Sequence, residues 1–496
     1  MTYERSTFDK PWWAKLTGRV ELHVHLKRGG GLARQVYQQI RTAILDGRLR
    51  RGDRLPPTRE LAGRLDVSRN TVGLAYEWLV SEGLLAGRRG AGTFVEGDPV
   101  ARTPRPTSAA FRPRLVWSGV AAPPPWPRPP RYDFGVGIPD ASLFPFDTWR
   151  RLIARQIRGS RLGAGYGDAA GQPGLRAAIA RHVGVSRGVA LDAEDVVVTS
   201  GAQGAFDLVA RVLIEAGARV AVEEPGYPPV RQLFESCGAA IASVPVDEAG
   251  LKVNALPHDA RLVYVTPSHQ FPLGMPMAHA RRVALLEWAQ RRNAVVLEDD
   301  YDSEFRFGGR PLETLQAIDR DGRGVYVGSF SKALLPGLRL GFLVAPPSLR
   351  DAMRAASHVA GWHAPLPAQA ALASFIEHGL FARHLRKARR AYAARHERIL
   401  RTLERDFSRW LAPVPSVTGM HLAARFRFGG VRLEAEVAER ARAAQVGFDR
   451  LSAYCAATGR QAGMVLGYGG ISEANVAEGL RRLRECVAGA ARQLSE

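Results

Sequence analysis

The sequence predicts an α/β main domain built on a mostly parallel sheet, with a smaller α/β portion at its C-terminal end and an N-terminal helical unit closed by a two-stranded wing. Three observations carry this. From about residue 131, short β-branched runs that end in polar or glycine-rich loops alternate with helical patterns, as buried parallel strands joined by helices do. Between Leu55 and Val95, two helical segments separated by a short turn precede a glycine-rich hairpin. Between the two lies a stretch containing AAPPPWPRPPR, and chain this rich in proline cannot pair its backbone in a sheet and favours extended segments. The expected units are therefore 20–97, a proline-rich linker over 98–130, and 131–490, the last divided into a large part (131–345) and a small part (346–490).

Each N-terminal element has a local cause. Leu32, Val36, Ile40, Ile44 and Leu45 recur at helical spacing, which predicts an amphipathic helix from Gly31 to Asp46 that stops at Gly47. LPPTRELAGRL opens a second helix with Thr58 as N-cap and with Leu61 and Leu65 facing inward. Asp66 and Val67 make the turn. Ser68 then caps a third helix, with Val72, Tyr76 and Leu79 inward, that ends near Gly83. The following GRRGAGTFV reads as the wing. Together these make a winged helix-turn-helix, whose third helix presents Arg69, Asn70 and Thr71 where side chains reach base edges in a major groove. Arg69 is the candidate for base readout. Arg59, Arg88 and Arg89 are candidates for phosphate contacts, and Gly90 and Gly92 of the wing belong to the same surface. A helical bundle with solvated arginines is the alternative reading of these residues.

The bulk numbers are consistent with an anionic partner such as nucleic acid: Lys and Arg total 69 against 48 Asp and Glu, a formal net charge of +21, although an arginine-rich chain with many Ala, Gly and Pro residues also fits a compositional bias of its source. Apolar content of 46% with 24% charged residues is that of a globular chain. No run of about 18 apolar residues appears, so no membrane span is expected. MTYERSTFDKPWW lacks an apolar core, which argues against a secretory signal. Cys237, Cys455 and Cys486 have no metal-ligand spacing, so no metal is expected, and three thiols cannot pair completely. A reducing cytoplasm is the expected location.

In the main domain the expected strands are Asp195 to Ser200, Ala218 to Glu224, Arg261 to Pro267, Asn293 to Asp300 and Gly324 to Phe330. Lys332 follows the last of these, and Asp299 ends the one before it. Ligands of open α/β sheets bind beyond the carboxyl ends of strands, so both side chains should face one crevice. A lysine amine can form a Schiff base with an aldehyde cofactor, and an aspartate can pair with a protonated ring nitrogen. That combination suits pyridoxal 5′-phosphate. A solvated lysine and an ordinary strand-end turn remain the alternatives for each residue alone.

The residues LPPTRELAGRLDVSRNTV, AYEWLVSEGLL and GRRGAGTFV resemble the N-terminal domain of GntR-family regulators over roughly residues 31–96. Residues from about 132 to 490 are similar to fold-type I aminotransferases, and the whole chain resembles the MocR subfamily of GntR regulators. The resemblance implies Lys332 as the residue bonded to the cofactor, Asp299 at its pyridine nitrogen, Tyr301 at its phenolic oxygen and Tyr227 stacked on its ring. It further implies a phosphate seat from Ala202 and Gln203 in SGAQG with Ser329 and Arg339, and a homodimer in which Tyr166 reaches the neighbouring subunit's phosphate. Two departures stand out. Phe271 occupies the position of the asparagine in the aminotransferase NPTG turn, with His269 and Gln270 as its candidate substitutes. Val465 stands where aminotransferases place an arginine for the substrate carboxylate, with Arg460 as a candidate substitute.

The expected function is a DNA-binding transcriptional regulator whose aminotransferase-like domain senses pyridoxal phosphate or an amino compound as effector. The alternative is an active aminotransferase carrying a DNA-binding appendage; the two departures weigh against turnover.

Overall fold

The computed structural model describes residues 22, 24–26, 31–97, 114–118, 120, 129–158, 165–189, 191–308, 313–456 and 461–494. Most of the expected linker over 98–130 lies outside the described residues, as does Arg460. The chain divides into two compact units, residues 1–112 and 113–496.

In the first unit, α1 (Leu32–Leu45), α2 (Thr58–Leu65) and α3 (Arg69–Ser81) precede β1 (Leu85–Arg88) and β2 (Gly92–Val95). The two strands are antiparallel, with Leu85 opposite Val95 and Arg88 opposite Gly92. Val36, Ile40, Ile44, Leu61, Val72, Tyr76, Leu79, Leu85 and Val95 form one buried cluster. Ser68 caps α3 as expected, its Oγ accepting from the Thr71 amide at 3.1 Å. Asp66 ends α2 in the left-handed region at φ 53°, which an aspartate tolerates better than most residues. Two expectations need correction. Thr58 is the first helical residue rather than the cap, because the fixed φ of Pro57 places the extended residue one position earlier. Leu32 and Leu45, at the two ends of α1, are exposed and not part of the core.

The second unit begins with β3 (Tyr132–Asp133), α4 (Phe146–Ile157) and α5 (Pro173–Arg187). There follow β4 (Val196–Thr199), α6 (Gly201–Leu213), β5 (Arg219–Glu224), α7 (Pro228–Ser236), β6 (Ala240–Asp247), β7 (Gly250–Leu251) and β8 (Ala260–Val265). Next come α8 (His279–Arg292), β9 (Val295–Asp300), α9 (Leu315–Ile318), β10 (Gly324–Ser329) and β11 (Gly341–Val344). These strands form one eight-stranded sheet in the order β4-β11-β10-β9-β8-β5-β6-β7. Neighbours from β10 through β6 run parallel. β11 is antiparallel to both β10 and β4. The reason is local: the connection from Phe330 to Leu340 contains no crossover helix, so the chain can only return alongside β10 in the opposite direction. Every residue of β4, β10 and β11 is buried, which is why these strands read as continuous apolar runs without alternation.

The chain continues through α10 (Pro347–Gly361), α11 (Leu366–Glu377), α12 (Leu380–Asp406), β12 (Leu411–Pro413), β13 (His421–Phe426), α13 (Gly430–Ala443), β14 (Val446–Gly447), β15 (Asp449–Arg450), β16 (Gly463–Gly467) and α14 (Glu473–Gln493). β12, β13, β16 and β15 form an antiparallel sheet, and β14 pairs in parallel with β3. Packing crosses the expected division at 346. Met353 of α10 lies in the core with Phe206 and Tyr264 of the large sheet, whereas Tyr132 and Phe134 pack with Leu480 and Val487 of α14.

Candidate functional site

Beyond the carboxyl ends of β9 and β10 lies a cavity of about 1520 Å³, lined among others by Ala202, Gln203, Tyr227, Asp299, Tyr301, Ser329, Lys332 and Arg339. The antiparallel return of β11 explains how Lys332 and Arg339 come to share it, since both lie on the loop that joins β10 to β11. Lys332 Nζ donates to the Gly137 carbonyl at 2.6 Å. Burial lowers the pKa of its ammonium, against the attraction of Asp302 and Asp299. Gly137 has φ 79°, which favours glycine, and a Cβ there would lie 2.6 Å from that nitrogen and push the lysine aside.

Asp299 and Asp300 are adjacent, and strand alternation sends them opposite ways. Asp300 turns from the cavity to Arg187, at 2.8 Å, and to the Tyr326 hydroxyl, at 2.6 Å. Although burial alone would raise the Asp300 pKa, Arg187 holds it below the usual carboxylate range. Asp299 faces the cavity. Its Oδ2 accepts from the Tyr264 hydroxyl at 2.6 Å, while Oδ1 is buried without a partner. Burial pushes the Asp299 carboxyl up to about 7, with the charges of Asp300, Asp302 and Glu223 acting in the same direction against the Tyr264 bond. A carboxyl held this way keeps one oxygen open to a further hydrogen-bond donor from the cavity.

The opposite end of the cavity suits an anion. α6 starts at Gly201, at φ 76°, so the amides of its first turn point outward beside Ala202 and Gln203. Arg339 Nη2 donates to the Ser200 carbonyl at 2.6 Å. A Cβ on Gly201 would meet the Arg339 guanidinium at 3.0 Å, and one on Gly341 would meet the Gly201 backbone at 2.7 Å. Gly341 is thus required for the close approach of loop and helix start, and Gly201 for its positive φ. Between the two ends the wall is aromatic: Phe271 packs edge-on against Tyr227, Tyr301 and Tyr454, with ring centroids 5.4, 5.9 and 4.9 Å apart.

Several expected residues are placed differently. His269 and Gln270 do not line the cavity. The Gln270 amide donates to the Pro225 and Phe271 carbonyls at 2.9 and 2.7 Å, and its Oε1 accepts from the Leu273 amide at 3.2 Å, so it braces the buried turn that carries Phe271. His269 Nδ1 lies 3.0 Å from both Asp302 and the Tyr301 hydroxyl, and that hydroxyl donates to the His269 carbonyl at 2.9 Å. Neither replaces the absent asparagine on the cavity wall. His269, Asp302 and His421 offer ligand atoms within 4.8 Å of one another. His269 Nδ1 is bonded to Asp302 and His421 Nε2 lies 3.1 Å from the Pro272 carbonyl, while His269 Nε2 is buried without a partner. Tyr166 lies off the cavity of its own chain, 75% exposed, with its ring 4.1 Å from that of Trp362. Val465 is buried with Leu273, Met275, Val414, Ala423 and Leu451, an apolar setting that holds no charged clamp.

Sequence reasoning missed Gly137, Tyr264, Glu223 and His421. A tyrosine within the aliphatic run RLVYVTP was the available signal for Tyr264. Gly137, 195 residues before Lys332, gave none.

In the winged unit Arg59, Arg69, Asn70 and Arg89 are exposed. Thr71 is half-buried, its hydroxyl 2.8 Å from Ser68 Oγ, and is therefore committed to the helix cap. Arg88 is bound within the wing, paired with Glu96 at 3.0 Å and stacked 4.9 Å over Phe94. Gly90 and Gly92 turn the hairpin at φ 76° and 116°, and a Cβ on Gly92 would meet Arg54 Nε at 2.9 Å. Arg54 was not anticipated. Cys237, Cys455 and Cys486 are free thiols, and no helix among the described residues is long and apolar enough to cross a membrane.

Comparison with known proteins bears on both units. Residues 132–435 match the family of class I and II aminotransferases, and residues 32–95 match the bacterial regulatory proteins of the gntR family. The chain is 41% identical over 459 residues to the probable rhizopine catabolism regulatory protein MocR of Rhizobium meliloti, covering 91% of this chain and 92% of that one. It is 32% identical to the pyridoxine biosynthesis transcriptional regulator PdxR of Corynebacterium glutamicum, covering 88% and 92%. Among solved structures, the α-aminoadipate aminotransferase LysN of Thermus thermophilus superposes with a TM-score of 0.67 at 30% identity, covering 73% of this chain and 93% of that one. With the regulator's winged domain and the aminotransferase fold matched in one chain, this protein belongs to the MocR subfamily of GntR-family transcriptional regulators.

Proposed function

We propose that the second unit holds pyridoxal 5′-phosphate at Lys332, and that occupancy of this site by the cofactor, or by an amino compound that reacts there, sets the DNA affinity of the winged unit. The carrying observation is the pair formed by Lys332 and the partnerless Asp299 Oδ1 on one cavity wall. When bound, the cofactor supplies an aldehyde for a primary amine and a ring nitrogen that takes up a proton. Burial keeps more of the Lys332 amine neutral, the form that attacks an aldehyde. Asp299 would accept from the protonated ring nitrogen, Tyr227 would cover the ring face, and Tyr301 would turn its hydroxyl to the phenolic oxygen. The first turn of α6, with Ser329 and Arg339, would seat the phosphate. Tyr166 would complete that seat from a second copy, which makes the working form a homodimer.

Arg69 and Asn70 would read bases, and Arg59 and Arg89 would hold phosphates of a double-stranded operator in the cytoplasm. The relatives named for rhizopine catabolism and pyridoxine biosynthesis make an amino compound and the cofactor itself the two candidate signals. Either acts only through differential affinity for two arrangements of the protein.

A second reading, an active aminotransferase with a DNA-binding appendage, draws on the intact set of Lys332, Asp299 and Tyr264. Against it stand Val465 and Phe271, which leave the substrate carboxylate and the cofactor oxygen without their usual partners. Incubation with a panel of amino donors and keto acids separates the two. Regulation predicts at most a single conversion of bound cofactor, together with an operator affinity that changes when cofactor is added. Steady multiple turnover would overturn the regulator-only reading, and an operator affinity indifferent to cofactor would reduce the cofactor to a structural part.

A further inference from the structure

The net charge of +21 is not accounted for by the winged unit, because more than half of the excess lies beyond residue 112. Within the second unit, α12 shows where part of it is gathered. Phe381, His384, Leu385, Ala388 and Tyr392 face inward along this helix. Arg383, Arg386, Lys387 and Arg390 recur two positions later at the same spacing, on the opposite face, and all four are exposed. None of the four takes part in an ion pair among the described residues, whereas Arg401 and Arg405, farther along the same helix, pair with Glu397 and Asp406. Like charges three and four positions apart destabilise a helix unless a counter-anion lies against them.

We propose that this face of α12 is a second seat for duplex DNA, one that grips phosphates without reading bases. The proposal rests on the winged unit for the chain's encounter with DNA, and adds a contact in the other unit. From Arg383 to Arg390 the helix advances about 10 Å, and the long arginine and lysine side chains extend the reach of the four charges beyond that length. Three guanidinium groups and one ammonium along that length match a short run of phosphates in charge and hydrogen-bond donors. An anionic membrane is the poorer partner, because a helix that lies on a lipid surface offers an apolar face to it, and the apolar face of α12 is spent on the core.

The test uses the full-length protein and a duplex of arbitrary sequence about three helical turns long, with binding measured across a salt series. Arg383→Gln, Arg386→Gln, Lys387→Gln and Arg390→Gln in one chain should lower the slope of log affinity against log salt by about three to four, at roughly 0.9 per lost phosphate contact. Affinity at low salt should fall at least ~10-fold, on operator and arbitrary duplex alike. The charge-preserving set Arg383→Lys, Arg386→Lys and Arg390→Lys should keep the slope. Neutralising Arg150, Arg401, Arg405 and Arg481, which already pair with acids, should change it little. If the fourfold variant fails to fold, Arg383→Gln with Arg386→Gln should lose about half the slope change.

An unaltered slope in the glutamine variant overturns the proposal, as does an equal loss from the paired set. So does a loss confined to binding of phosphatidylserine vesicles. Arg69→Ala is measured alongside. Retained operator preference in that variant would count against base readout by the winged unit, and leaves the α12 result to be read separately.

Discussion

At the scale of single residues, the site depends on a few groups held in unfavourable electrostatic states. Lys332→Ala should remove the visible absorbance band given by a lysine–cofactor bond while leaving the melting temperature of the cofactor-free chain nearly unchanged; a persisting band would place the bond at another lysine. The carboxyls carry a pH signature. Burial pushes Asp299 and Glu223 each up to about 7, from ordinary values near 4 in the unfolded chain. The folded state therefore binds more protons than the unfolded state between about pH 4 and 7, and stability falls as pH rises through that window. Asp299→Asn should flatten the fall in the cofactor-free protein, with about 1–3 kcal/mol regained at pH 8, and should weaken cofactor binding at least ~10-fold through loss of the charged partner. Thermal melting across pH checks the first statement; an unchanged pH slope would mean that Asp299 is not the strained group. Lys332 and Asp299 were legible because one follows a strand and the other lies at the carboxyl end of the strand beside it. Gly137 and Tyr264 were not, because their roles arise from pairings between distant segments.

At the scale of elements, local chemistry explains where helices begin and tertiary packing explains the turns between them. Ser68→Ala removes the cap of α3 and should cost about 1 kcal/mol. Operator affinity should fall as well, since Arg69 and Asn70 sit in the first turn that the cap orders, and a Ser68→Asp variant should recover both; urea unfolding and operator titration provide the readouts. Gly419 shows the other kind of constraint. Its φ is 92°, and a Cβ there would fall 2.0 Å from the His269 ring and 2.6 Å from Asp302. Gly419→Ala should destabilise the protein by more than about 1–3 kcal/mol, because backbone strain and displacement of the buried His269–Asp302 pair add. The parallel strands were readable from their continuous apolar runs. The antiparallel insertion of β11 was not, although the missing crossover helix before it is a sequence feature.

At the scale of the whole molecule, the proposed sensor requires two copies. Tyr166 is 75% exposed on its own chain, and Phe146, Ile157, Val359 and Trp362 are also exposed apolar groups of the same unit. A homodimer should appear in sedimentation at micromolar concentration. Tyr166→Ala should weaken cofactor binding without altering the lysine–cofactor absorbance of the protein once loaded; a monomer that binds cofactor with full affinity would remove the second copy from the site.

The sequence by itself determined the two units, the strand-to-loop placement of Lys332 and Asp299, the cap at Ser68 and the family, because these depend on periodicity, capping chemistry and short motifs that act within a few residues. Only the tertiary structure decided that Asp299 keeps one oxygen without a partner while Asp300 is spent on Arg187 and Tyr326, that Gln270 braces the turn carrying Phe271, and that His269 is paired with Asp302. Those outcomes depend on which partner reaches a polar group first when segments far apart in the chain are buried together. A buried donor or acceptor takes the nearest partner that satisfies it, and no local pattern in the sequence names that partner.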